Sequence, residues 1–203
     1  MELYIARHGE TEFNAERRIQ GNSKDSPLTQ NGIAQAMALG KSLEGISFDS
    51  VYSSPLKRAT DTVEIAFGGR YKPILDDRLV EIGLGVMEGM LWSDAAEMYP
   101  ESWGRYLDPV NYIPPPKGEC LLDMIARVGA FLDDVGKTGY RRVFVLSHGY
   151  TSRVFQACTM DRSLEAIGKA HSYGNCEVAH YRFEHGKWEM VGINNNTHKG
   201  GHP

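Results

Sequence analysis

Two segments at opposite ends of the chain are built on one plan. Leu3-Tyr4-Ile5-Ala6-Arg7-His8-Gly9 and Val143-Phe144-Val145-Leu146-Ser147-His148-Gly149 are each an apolar run that ends in a histidine followed by a glycine. Short apolar runs closed by a turn residue read as buried strands. Ser50–Ser53, Pro73–Leu75, Glu177–Phe183 and Trp188–Ile193 have the same character, and Glu184-His185-Gly186 between the last two is a hairpin signal. Helical spacing lies between the strands. Ile33, Ala36, Met37, Gly40 and Leu43 follow it in one segment, and Leu121, Met124, Ile125, Val128, Phe131, Leu132 and Val135 in another. Strands alternating with helices predict an α/β fold. The expected form is a three-layer sandwich: a mainly parallel sheet, helices on both faces, and an antiparallel C-terminal element.

The rhythm breaks once. Gly89 to Lys117 holds five of the nine prolines and two of the three tryptophans. It reads as an insertion, part helix and part loop, lying over the sheet. At 203 residues, with no linker or long repeat, the chain reads as a single domain over 1–203 carrying that insertion at about 89–117.

This topology gathers chemistry at one rim. In open α/β sheets, ligands bind outside the carboxyl ends of the strands. His8 and His148 share that position, and the glycine after each lets the backbone turn sharply beside a ligand. A third strand end is Val51-Tyr52-Ser53-Ser54-Pro55-Leu56-Lys57-Arg58. Ser54 is expected as a helix N-cap and Pro55 as the first helical residue, which puts Arg58 in the first turn. A cation there opposes the helix dipole, and an anion bound between the two reverses the argument. Arg7, Arg58, His8 and His148 can therefore converge on one point. Two guanidiniums and two imidazoles suit a phosphate dianion.

Charge and composition limit the alternatives. The net charge of −4 argues against nucleic acid and means that an anionic substrate must be attracted by a local cluster. No apolar run approaches the roughly 18 residues needed to span a membrane, and no signal region opens the chain, so a cytoplasmic location is expected. Cys120, Cys158 and Cys176 are odd in number and widely spaced, which points to reduced thiols instead of a disulfide framework or metal site.

At this point the chain resembles the histidine phosphatase superfamily, in its phosphoglycerate mutase-like branch. The resemblance is carried by Arg7-His8-Gly9-Glu10-Thr11-Glu12-Phe13-Asn14, Gln20-Gly21, Pro27-Leu28-Thr29, Gly32 and Gln35-Ala36. It continues through Ser53-Ser54-Pro55-Leu56-Lys57-Arg58-Ala59-Thr60, Leu79-Val80-Glu81-Ile82-Gly83-Leu84-Gly85 with Glu88-Gly89, Pro116-Lys117-Gly118-Glu119 and Ser147-His148-Gly149. It runs in order from residue 1 to about residue 195.

The resemblance implies a phosphohistidine on His8. An imidazole with an ordinary pKa of ~6.5 has a free ring nitrogen at neutral pH, and the other nitrogen is expected to be tied to the Gly9 carbonyl. Arg7 and Arg58 are expected to clamp the phosphoryl oxygens, and a protonated His148 to donate to another. Asn14, Gln20, Gly21 and Gly149 are the further expected substrate contacts. The arginines do the work of a metal, so no metal or cofactor is required. Glu81, on a loop over the pocket, is the expected general acid, because bound phosphate would repel its charge and favour the protonated form. Glu10 and Glu12 read as arginine anchors or solvated turn residues, and Arg153 as structural. His171, His180, His185, His198 and His202 show no ligand spacing on a helix, and the 198–203 tail is expected to be disordered.

Four positions depart from the family pattern. Met87 stands where a tryptophan is common and Leu84 where an aromatic is common. Cys120 replaces a serine, read as a packing change, and Tyr150 replaces a second glycine. Trp92, Tyr99, Trp103, Tyr106 and Tyr112 are either a pocket mouth or a small core beneath the insertion, and Lys117 or Arg105 could meet a second substrate anion.

The function expected is hydrolysis of a small phosphorylated metabolite, with inorganic phosphate as product. The alternatives are a phosphoglycerate mutase using the same phosphohistidine and a non-catalytic binder. A homodimer is compatible with the sequence, which does not name the substrate.

Overall fold

The computed structural model describes residues 1–194. The tail at 198–203 therefore lies outside the described residues. Six strands form one sheet: β1 (Glu2–Arg7), β2 (Ser50–Ser53), β3 (Ile74–Leu75), β4 (Arg142–Ser147), β5 (Val178–Glu184) and β6 (Lys187–Asn194). Their spatial order is β3-β2-β4-β1-β5-β6. The first four in that order are mutually parallel, β5 pairs antiparallel with β1, and β6 pairs antiparallel with β5. His185 (φ 51°) and Gly186 (φ 76°) both adopt left-handed backbone in the turn joining β5 to β6. That handedness matches the twist of a two-residue hairpin.

Among the described residues eight α-helices flank the sheet: α1 (Glu12–Ala15), α2 (Gln30–Ser42), α3 (Lys57–Phe67), α4 (Trp92–Met98), α5 (Pro100–Gly104), α6 (Leu121–Val135), α7 (Gly149–Cys158) and α8 (Leu164–Lys169). Strand residues alternate between two cores, as the period of two requires. Leu3, Ile5, Val143 and Val145 face a core filled by Met124, Val128, Phe131 and Leu132 of α6 and Val154 and Phe155 of α7. Ala6, Phe144, Leu146 and Val51 face a second core with Ala36 and Leu39 of α2 and Ala59 and Val63 of α3. The expected three-layer α/β architecture is the one observed. Truncating a side chain such as Phe131, fully buried between α6 and α7, would cost about 3–5 kcal/mol.

Residues 89–117 contain α4, α5 and a 3-10 turn at Pro109–Asn111. Tyr99, Trp103, Tyr106 and Tyr112 from this stretch pack against the first core.

Two local expectations need correction. Helix α3 begins at Lys57 with Leu56 in the cap position, two residues later than Ser54 and Pro55 predict. The Ser54 hydroxyl lies 2.7 Å from His148 Nε2 and 3.3 Å from the Leu56 amide, so it is held by the site and does not cap the helix. Arg58 nonetheless stays in the first turn. Cys120 is exposed and sits at the N-cap of α6 without a side-chain cap bond, so it is not a packing position.

Candidate active site

The carboxyl ends of β1, β4 and β2 deliver His8, His148 and Arg58 to one region. The His8 and His148 ring centroids are 5.2 Å apart. A pocket of about 130 Å³ opens there, and its lining includes Arg7, His8, Asn14, Gln20, Gly21, Arg58 and Glu81. Arg18, Ile19, Leu84, Trp92, Trp103 and Tyr106 complete the lining. His148 and Gly149 are not on that lining.

His8 is almost completely buried. Its Nδ1 lies 2.7 Å from the Gly9 carbonyl oxygen, so Nδ1–H donates and the lone pair is on Nε2. Among the described residues nothing hydrogen-bonds Nε2. Burial, then Arg58 and Arg7, hold the ring's pKa well below the ordinary histidine value, and the Gly9 carbonyl opposes them only in part. The ring is therefore a neutral imidazole at neutral pH, able to attack an electrophile in the pocket.

The two arginines are held differently. A guanidinium has five N–H groups. Arg58, 1% exposed, directs Nε to His148 Nδ1 (3.2 Å), Nη1 to the Lys24 carbonyl (3.1 Å) and Asp25 Oδ1 (3.0 Å), and Nη2 to the Gly21 carbonyl (2.8 Å). Arg7 makes one bond, from Nη1 to the Tyr173 carbonyl at 2.7 Å, and its buried Nε has no partner among the described residues. Arg7 is thus the freer clamp, and Arg58 is a fixed charge. Gly149 serves Arg7 without lining the pocket: a Cβ there would stand 3.3 Å from Arg7 Cζ and Nε. Gly21 has φ +61°, and a Cβ would meet Glu88 Oε1 at 2.1 Å.

His148 differs from expectation. The expected protonated donor is a neutral ring here. Nδ1 accepts from Arg58 Nε, so the proton is on Nε2, which donates to Ser54 Oγ at 2.7 Å. Burial is the first cause of its depressed pKa, followed by Arg58, His8 and Arg7. Desolvation and the neighbouring arginines disfavour a positive charge on this ring.

Glu81 is gripped from two sides. Its Oε1 accepts from the Ile82 amide (2.9 Å), the Thr151 amide (3.1 Å) and Thr151 Oγ1 (3.1 Å), and its Oε2 from the Tyr150 amide alone (3.1 Å). The Tyr150 and Thr151 amides lie in the first turn of α7, where an acidic group is favoured by the dipole. The loop backbone is held by Arg127, whose Nη1 donates to the Arg78 carbonyl (2.7 Å) and the Val80 carbonyl (2.9 Å). Glu119 in turn pairs with Arg127 at 2.6 Å and accepts from the Gly83 amide at 3.1 Å. Oε2 is the more lightly held oxygen, and it is the one with room for a transferable proton.

The neutral contacts also have structural partners. Asn14 Oδ1 accepts from the Thr11 amide at 3.2 Å, and Gln20 Nε2 donates to Thr11 Oγ1 at 2.8 Å. Glu10 accepts from Thr29 Oγ1 (2.7 Å) and Asn31 Nδ2 (3.1 Å), anchoring the start of α2 and not an arginine, while Glu12 is exposed. Arg153 is buried, donates to the Ile167 carbonyl and lies over the Tyr150 ring. Of the five aromatics, Trp92, Trp103 and Tyr106 border the pocket and Tyr99 and Tyr112 do not. Burial and then Glu81 keep the Tyr106 hydroxyl protonated. Met87 is fully buried in the core, whereas Leu84 reaches the pocket.

Sequence reasoning missed Arg18, Ile19 and Leu84 as pocket residues. Lys117 and Arg105 were the expected second cations, and neither borders this pocket. Arg18 does, brought in by a backbone bridge to Leu91 that no local pattern announces. Among the described residues no group of three or more His, Cys, Asp or Glu side chains is placed to hold a metal ion, and no helix is long and apolar enough to cross a membrane.

Comparison with known proteins places this geometry. The family model of the histidine phosphatase superfamily, branch 1, matches residues 3–196. The chain belongs to the histidine phosphatase superfamily. It is 34% identical over 187 residues to phosphoserine phosphatase 1 of Hydrogenobacter thermophilus, covering 91% of this chain and 86% of that one. It is 32% identical to the probable phosphoglycerate mutase GpmB of Cronobacter sakazakii, over 95% of this chain and 89% of the other. The solved structure of Bacillus stearothermophilus YhfR is 33% identical and superposes with a TM-score of 0.85 over 94% of this chain and 95% of that chain. This histidine phosphatase thus has relatives named for hydrolysis and for isomerisation.

Proposed function

We propose that the protein is a phosphomonoesterase that hydrolyses a small phosphorylated metabolite through a phosphohistidine on His8. The observation that carries this reading is the free Nε2 of a neutral, buried His8 in a pocket it shares with Arg7, Arg58 and Glu81.

In the first step His8 Nε2 attacks phosphorus as the ester P–O bond breaks. Glu81 Oε2 gives its proton to the leaving oxygen, so the alcohol departs neutral. Arg7 binds the phosphoryl oxygens with its uncommitted N–H groups, and Arg58 adds a fixed positive charge. His148 acts as a neutral positioning group: its Nδ1 accepts from Arg58 Nε and its Nε2 donates to Ser54 Oγ, which fixes the guanidinium at the pocket wall. In the second step water attacks the phosphohistidine, Glu81 takes the water's proton, and the N–P bond breaks to give inorganic phosphate and free His8.

A relative named phosphoserine phosphatase makes phosphoserine the first substrate to test. The experiment is a panel of phosphorylated metabolites assayed for phosphate release, with 3-phosphoglycerate also followed for interconversion to 2-phosphoglycerate. Phosphate release as the dominant reaction supports the proposal. Interconversion without release would make the protein a mutase, the activity named for its other relatives.

A further inference from the structure

We infer that Arg18 anchors a carboxylate on the leaving group, so that the preferred substrates are phosphorylated hydroxy acids or hydroxyamino acids. This rests on the phosphomonoesterase reading and narrows its substrate class.

Three cations border the pocket: Arg7, Arg58 and Arg18. Arg7 and Arg58 stand with the two histidines: Arg7 ends β1 next to His8, and Arg58 Nε bonds His148 Nδ1. Arg18 belongs instead with the surface formed by residues 89–103. Its Nη1 donates to the Gly89 carbonyl at 2.6 Å, and its backbone bridges to Leu91, next to Trp92. A cation set apart from the phosphate-binding pair, in the same pocket, calls for a second anion on the same molecule.

The guanidinium is fixed before any ligand arrives. Nε donates to Glu16 Oε2 at 3.1 Å, Nη1 is held by Gly89, and the group lies 5.5 Å from the Phe13 ring centroid. Nη2 has no partner among the described residues. Preorganisation of this kind lowers the entropic cost of binding. The Glu16 partner is half exposed, so it is a solvent-screened surface pair that neutralises little of the charge facing the pocket. Among the described residues Glu81 is the sole acidic side chain on the lining, and it serves the proton transfer. A planar guanidinium edge matches a carboxylate well.

The test compares phosphoserine with phosphoethanolamine, which keeps the ester and amine and lacks the carboxylate, using p-nitrophenyl phosphate as a control. Wild type is expected to prefer phosphoserine. Arg18→Gln should raise KM for phosphoserine about 10- to 100-fold, the scale of a lost charged hydrogen bond, and leave phosphoethanolamine and the aryl phosphate within about twofold. Arg18→Lys, which keeps the charge and loses the planar edge, should fall between. Equal losses on all three substrates, or no loss on phosphoserine, would overturn the inference while leaving the phosphatase reading intact. Failure of wild type to release phosphate from any of the three would sink both.

Discussion

Replacing Glu81 by glutamine removes a proton donor and almost nothing else in shape. The structural cost follows from its hydrogen bonds. The amide oxygen can take the place of Oε1 and keep its three donors, Ile82 N, Thr151 N and Thr151 Oγ1. The amide nitrogen then faces the Tyr150 amide, which now has Oε2 at 3.1 Å, and two donors oppose each other. One charged hydrogen bond is lost, at a cost of about 1.5–3 kcal/mol. For a chain of this size that lowers the melting temperature by roughly 2–4 °C per kcal/mol. The catalytic cost is separate and larger. Loss of general acid catalysis reduces the rate by about 10²- to 10⁴-fold when the leaving group is an alkoxide. A nitrophenolate leaves without a proton, so the first step with p-nitrophenyl phosphate should survive. Hydrolysis of the phosphohistidine still needs a base, so the variant should show a burst of nitrophenol followed by slow turnover. Stopped-flow absorbance with both substrate types reads this directly. An equal fall for alkyl and aryl phosphates with no burst, in a folded variant, would refute Glu81 as the proton donor.

Other consequences follow from the same geometry. The pKa values of His8 and His148 lie well below the unfolded value of ~6.5, so below that pH the unfolded chain binds protons that the folded protein does not. Stability against urea should therefore fall as pH drops below about 6.5, be flat above it from this source, and fall less steeply in His148→Asn; an unchanged slope in that variant would contradict the assignment. Gly149→Ala brings a Cβ to 3.3 Å from Arg7 and should raise KM severalfold for every phosphomonoester without unfolding the protein, as steady-state kinetics and a thermal melt would show. Gly21→Ala combines φ +61° with a 2.1 Å approach to Glu88, so it should lower both stability and phosphate affinity; normal values for both would show that the loop relaxes freely. Cys120→Ser supplies the missing cap of α6 and should stabilise the protein by about 0.5–2 kcal/mol, measured by urea denaturation.

The fold was legible because its strands are short apolar runs with sharp ends. The runs ending at His8 and His148 needed only the rule that ligands gather at carboxyl ends of strands. Helix α6 was legible from its apolar stripe, which spans Leu121–Val135 with the predicted residues buried. What escaped depends on contacts between distant segments. The neutral state of His148 follows from Arg58, ninety positions away in the chain, and from Ser54 turning towards the ring instead of capping α3. Arg18 reaches the pocket because Arg17, at φ 54°, turns the chain after α1 and the next residue bridges to Leu91. The hold on the Glu81 loop joins Arg127 to three carbonyls of residues 78–81. None of these has a local pattern, and each needs the three-dimensional fold to bring its partners together.

In the proposed mechanism the phosphoryl group passes through His8. Glu81→Gln, mixed with p-nitrophenyl phosphate and quenched under non-acidic denaturing conditions, should carry phosphate on the peptide containing His8 when that peptide is fragmented in a mass spectrometer. His8→Ala in the same background should carry none and should release no nitrophenol. Phosphate on any other residue, or turnover by His8→Ala at the wild-type rate, would contradict the mechanism.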